Sequence, residues 1–130
     1  IDIEAKIMIE TVNSQIVPAA VAYQNELIAS VRGLQELLPK DPSVKVQAEL
    51  LREVSSHIAS ARKGVEALSQ ALAAAEKLGA VKEKALAFCH AVKPKFEAIR
   101  EAVDALEGLV DAKRWPLPKY REMLFLIDAQ

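Results

Sequence analysis

Between Leu51 and Ala75 the apolar residues fall at Leu51, Val54, Ile58, Ala61, Val65, Leu68, Leu72 and Ala75, with spacings that alternate between three and four. A run of that period lays one continuous seam along a helix, and a seam that long folds only if other helices cover it. The residues beside it, Ser55, His57, Arg62, Gly64, Ser69 and Ala71, are mostly small. A two-stranded coiled coil carries long charges at such flanks, so the widened stripe predicts at least two neighbours and a bundle.

The sequence supplies those neighbours. A first helix is expected over about 3–38, with a buried face at Ile9, Val12, Ile16, Ala19 or Ala20, Tyr23, Leu27, Val31, Leu34 and Leu38. Pro18 removes a backbone donor within it and should bend the rod. Pro39-Lys40-Asp41-Pro42 ends it, because a residue before proline avoids the helical region. Asp41 is placed to cap the second helix, with Pro42 at its first position and Gly79 at its stop, over about 42–78.

A third helix is expected over about 80–113, with a seam at Ala85, Phe88, Val92, Phe96, Ile99, Val103, Leu106 and Val110. Its doubled four (Phe88, Val92, Phe96) brackets Pro94, which signals a phase slip at that proline. Lys113 and Arg114 are placed to meet the negative end of that helix's dipole. Turns this short imply an all-α, antiparallel up-down-up bundle of three long helices over residues 1–114. Reflecting residue numbers through the two turns sets Pro18, Gly64 and Pro94 at one height, which predicts a common waist where Gly64 admits a close neighbour.

Composition narrows the function classes. The formal net charge is −1, so there is no electrostatic footprint for nucleic acid or an anionic membrane. No stretch approaches the ~18 consecutive apolar residues of a spanning helix. The lone Cys89 forbids an internal disulfide and suits a reducing cytoplasm. Ile1 stands inside what already reads as a helix, from which a piece of a longer polypeptide is expected.

The chemistry-bearing side chains do not converge. The bundle register separates His57 from His90 by roughly 16 Å along the axis, too far for one metal ion. Cys89 and His90 are adjacent on one helix and point about 100° apart. Glu97, Glu101, Asp104, Glu107 and Asp111 form an acidic stripe that reads as a solvated face, with Lys93 and Arg100 placed to pair with Glu97 and Asp104 four residues on, or as a docking surface for a basic partner. Ser55, Ser56, Ala59, Ser60, Ala67, Ala73 and Ala74 leave helix two a small-residue outer side, read either as helix propensity or as a packing surface for another subunit. There is no glycine-rich phosphate loop, zinc spacing or nucleophile elbow.

After Arg114 the character changes to Trp115-Pro116-Leu117-Pro118-Lys119-Tyr120-Arg121-Glu122-Met123-Leu124-Phe125. The Pro-x-Pro spacing imposes an extended entry, and Pro118 can start a short helix over part of 115–130. Tyr120, Met123, Leu124 and Ile127 share one face of it, with Phe125 and Leu126 off that face. So apolar an element should fold back on the bundle or insert into a neighbour, with Trp115 as its anchor.

That run resembles the C-terminal helical domain of type III glutamine synthetase, the large bacterial form. Asp2-Ile3-Glu4-Ala5-Lys6 and the stretch from Val17-Pro18-Ala19-Ala20 to Tyr23-Gln24 resemble the same family, while the middle two-thirds is similar only in helical character. The resemblance implies a parent enzyme that joins ammonia to glutamate with ATP and divalent metal ions, cytoplasmic and oligomeric, whose catalytic residues lie upstream of Ile1. It implies that this chain holds no catalytic, cofactor or metal residue. Its partners would be the catalytic body and other subunits of that enzyme, with no nucleic acid and no membrane, and its role that of an accessory domain bracing a ring-shaped oligomer. Trp115, Tyr120, Met123 and Phe125 are the docking residues this reading selects. The competing expectation is a stand-alone helical interaction or sensor module with a ligand site between its rods.

Overall fold

The computed structural model describes residues 2–116, and the tail call on Tyr120, Met123 and Phe125 lies outside them. Among the described residues every regular element is helical. Three rods result. The first joins α1 (Asp2–Thr11) to α2 (Val17–Leu37) through a widened turn at Val12–Ile16. The second is the unbroken α3 (Pro42–Glu76), and the third joins α4 (Val81–Ala87) to α5 (Lys93–Leu109) through a widened turn at Phe88–Val92.

The two widened turns have one cause. Within an α-helix a proline ring strikes the carbonyl four residues before it and offers no donor. In the first rod the Val17 N–H reaches back five residues to the Val12 oxygen, immediately before Pro18. In the third the Lys93 N–H reaches the Phe88 oxygen, immediately before Pro94. Each π-type turn takes in one extra residue and so accommodates the ring without ending the rod. It also explains the phase slip: Val12, Ile16 and Ala20 are all buried at successive fours, as the third rod's doubled four anticipated for Phe88, Val92 and Phe96. Of the two alanines open in the first seam, Ala20 is the core residue.

Asp41 caps α3, its Oδ1 accepting from the Ser43 N–H at 2.9 Å. Three end details depart from the sequence expectation. α3 finishes at Glu76, with the Leu78 N–H on the Ala75 oxygen at 3.2 Å, and no glycine adopts positive φ, so Gly79 is not the left-handed stop. The third rod ends at Leu109 because Val110 turns extended (φ −75°, ψ 142°). Lys113 and Arg114 therefore lie beyond the last helical turn, and Arg114 is held by an ion pair to Glu26 of α2 instead.

α3 is the shared element. α2 packs along it on one side and α5 on the other, and its Val54, Ala61, Val65, Leu68, Leu72 and Ala75 are buried. The outer rods add Ala5, Val12, Ile16, Ala20 and Leu27, and Val92, Ile99, Ala102, Leu106 and Val110. No polar or charged side chain is buried in this core among the described residues. Polar links between the first two rods join Lys6 to Glu76 (3.4 Å), Arg62 to Asn13, Gln24 to Ser55 (2.7 Å) and Ser30 to Gln47, one number rising as the other falls.

Gly64 does admit a close neighbour: a Cβ there would lie 2.7 Å from Cγ1 of the buried Ile99. The waist itself is not shared, because α3 runs without interruption through Gly64 while both prolines need a widened turn. Gly33, by contrast, has open space around it. Gly33→Ala is expected to raise stability by about 0.5–1 kcal/mol through helix propensity. Gly64→Val is expected to lower it by about 1–3 kcal/mol through overpacking against Ile99. Urea unfolding of the two variants checks both signs.

Candidate functional site

The outer rods lean on α3 without closing on each other, and a groove of about 1160 Å³ runs between them. Met8, Val12 and Ile16 form one wall, and Phe88, Phe96 and Val103 the other. The widened turns place this lining, since each rotates its rod by an extra residue. The rims are charged: Glu4 stands on the first rod, and Lys93, Glu97, Arg100, Asp104 and Glu107 on the third. The acidic stripe is thus split. Glu97, Asp104 and Glu107 edge the groove, while Glu101 faces the opposite side.

Glu101 shares a smaller hollow of about 370 Å³ with His57, Ser60, Ala98 and Ala102. Reflecting residue numbers through the turn near 79 sets His57 opposite Glu101, so the second and third rods meet close to the register of a short antiparallel connection. Cys89 is exposed at the groove's edge. Among the described residues no three His, Cys, Asp or Glu side chains gather closely enough to hold a metal ion. No helix there is long and apolar enough to cross a membrane. On the small-residue side of α3, Ser55 accepts from Gln24 and Ser60 lines the hollow, whereas Ser56, Ala59, Ala73 and Ala74 are exposed.

At one end of the groove the chain crosses from the third rod toward the first. The Arg114 and Trp115 N–H groups both donate to the Asp111 oxygen, at 2.9 and 3.1 Å, and Asp111 Oδ1 accepts from the Lys113 N–H at 3.0 Å. That turn carries Arg114 to Glu26 and buries Trp115 in the chain's own core, 7% exposed. The neighbouring closure of Arg114 on Glu26 was not legible in the sequence, because 88 residues separate the partners and no local pattern links them. The Arg114 hydrogen bond holds the Glu26 carboxyl below its ordinary 4.5.

The comparisons with known proteins agree with the resemblance read from the sequence. The family model described as the glutamine synthetase C-terminal domain matches residues 1–35. A glutamine synthetase of Bacteroides fragilis (strain YCH46) is 34% identical over 128 residues, 96% of this chain and 18% of that protein. A type-3 glutamine synthetase of Dictyostelium discoideum is 29% identical over 129 residues, 97% of this chain and 18% of that protein. This chain resembles the C-terminal domain of glutamine synthetase, and it spans about a fifth of the length of those relatives. The likeness also runs through the middle of the chain, where the sequence reading allowed only a shared helical character.

A carboxyl with a depressed folded pKa contributes stability that is complete above its unfolded value and fades as pH falls through the folded one. The stability advantage of the unmodified chain over Glu26→Gln should therefore shrink on acidification from about pH 6 to about pH 3. Both partners are largely solvated, so the effect is small. Paired thermal melts across that range measure it.

Proposed function

We propose, from the resemblance to the glutamine synthetase C-terminal domain, that this chain is a non-catalytic accessory domain of a type III glutamine synthetase. In that reading the parent enzyme joins ammonia to glutamate with ATP and divalent metal ions held outside this chain, in the cytoplasm. The observation that carries it is the extent of the likeness, nearly the whole chain against under a fifth of each relative. What such a domain supplies is shape. Three rods running up, down and up over residues 1–114 make a stiff brace, an arrangement supported by the falling partner numbers between the first two rods. Residues 115–130 then form the docking extension toward the catalytic body and the other subunits of a homo-oligomer, with no nucleic acid and no membrane involved.

Trp115, Tyr120, Met123 and Phe125 remain the proposed docking residues. Trp115 serves from within its own chain, since its ring is buried there and fixes where the extension starts. The open groove is the one feature that favours the alternative of a stand-alone interaction or sensor module with a ligand between its rods.

Two measurements separate the readings. The isolated chain should form no glutamine from glutamate, ammonia and ATP, and turnover by it would refute the accessory role. In the full-length enzyme Phe125→Ala should loosen subunit assembly in sedimentation, while unchanged assembly and activity would remove Phe125 from the docking set. Trp115→Ala is the less specific variant, because losing a buried indole costs about 3–5 kcal/mol in any case.

A further inference from the structure

The outward side of the third rod carries a charged stripe at helical spacing. Lys82, Leu86, His90 and Lys93 lie along its first half, and Glu97, Glu101, Asp104 and Gly108 along its second; all are exposed. Successive members are three or four residues apart, so they share one face of the rod. That face runs between the groove, which Glu97 borders, and the hollow of His57, which Glu101 borders.

The charge on this face is divided end to end, basic before Pro94 and acidic after it. The sequence spacing offered Lys93 to Glu97 and Arg100 to Asp104. Among the described residues neither pair closes into an ion pair. Both halves of the stripe therefore present their charge outward. We propose that the stripe is a contact between two copies of this chain, packed antiparallel about a two-fold axis at Glu97, with the basic half of each third rod on the acidic half of the other. The contact goes beyond the accessory reading and holds whether or not the parent is a ligase.

The first argument is charge complementarity. A face whose two signs are separated along its length complements itself only when the second copy runs the other way; a parallel copy would set like charge on like. With the axis at Glu97, Lys93 comes level with Glu101 and His90 with Asp104, each pair occurring twice. The two Glu97 carboxylates come together at the axis, each with the Arg100 of the opposite chain less than a turn away.

The second argument is the register. Leu86 is 51% exposed, and a Cβ added at Gly108 would meet nothing within 4 Å in its own chain. The register that pairs the charges also sets Leu86 opposite Gly108. Glycine is a poor helix former, and nothing inside the chain needs one at that position. A leucine arriving from a second copy does, because a side chain at Gly108 would fill the place it enters.

Charge reversal in the whole chain, read by sedimentation equilibrium in low salt, tests the contact. Lys93→Glu and Glu101→Lys should each weaken self-association at least tenfold, since the symmetry makes every substitution act twice. An equimolar mixture of the two variants should recover the dimer, because their reversed charges then face each other. A chain carrying both substitutions should recover it as well, a rescue that damage to the fold would not allow. Gly108→Leu should abolish the dimer while leaving helical circular dichroism unchanged. A chain that stays monomeric at millimolar concentration would overturn the proposal. A dimer indifferent to both reversals, or a loss that neither the mixture nor the double variant restores, would overturn it equally. None of these outcomes bears on the ligase reading, which the assay of turnover decides separately.

Discussion

The apolar stripe of α3 is buried from two sides at once, and the rest of the structure follows from that. A helix carrying Val54, Ala61, Val65, Leu68 and Leu72 on one broad face needs more cover than a single partner gives. α2 and α5 each take part of it. Because neither outer rod can cover the whole face, both sit against α3 and leave space between themselves. The groove is thus a consequence of how the core is shared, before any question of a ligand arises.

The two prolines act on that arrangement in the same way. Each would break a regular helix, and each is preceded instead by a turn with one extra residue. The rods stay continuous and the apolar stripe is re-aimed past the turn, so that the residues on both sides of each proline still reach α3. Met8 and Phe88 border the groove near these turns. Pro18 and Pro94 therefore shape the groove as well as the rods. Gly64 plays a different part: it brings α5 close to α3 at Ile99, with no bend of its own.

A likeness to the C-terminal domain of a ligase and a site built of apolar walls with charged rims are consistent with each other. Acid–base and nucleophilic chemistry needs titratable groups held together in low dielectric. Here Cys89 is exposed at the groove's edge, and His57 lies in a hollow on the far side of the third rod. Burial of apolar surface is what these side chains do in the structure, and it holds the outer rods to α3.

Much of this was legible in the residue pattern. The seams, the Asp41 cap and the meeting of His57 with Glu101 follow from helical period, cap chemistry and short turns, which are local. The doubled fours even mark the widened turns, although in the first rod the choice between Ala19 and Ala20 hid the signal. The tertiary structure alone decided that the third rod stops at Leu109, that Arg114 closes onto Glu26 and that the outer rods part to leave a groove. Periodicity states which side of a helix avoids water. How far two helices splay around a third depends on the volumes that meet across them, and those come from residues tens of positions apart.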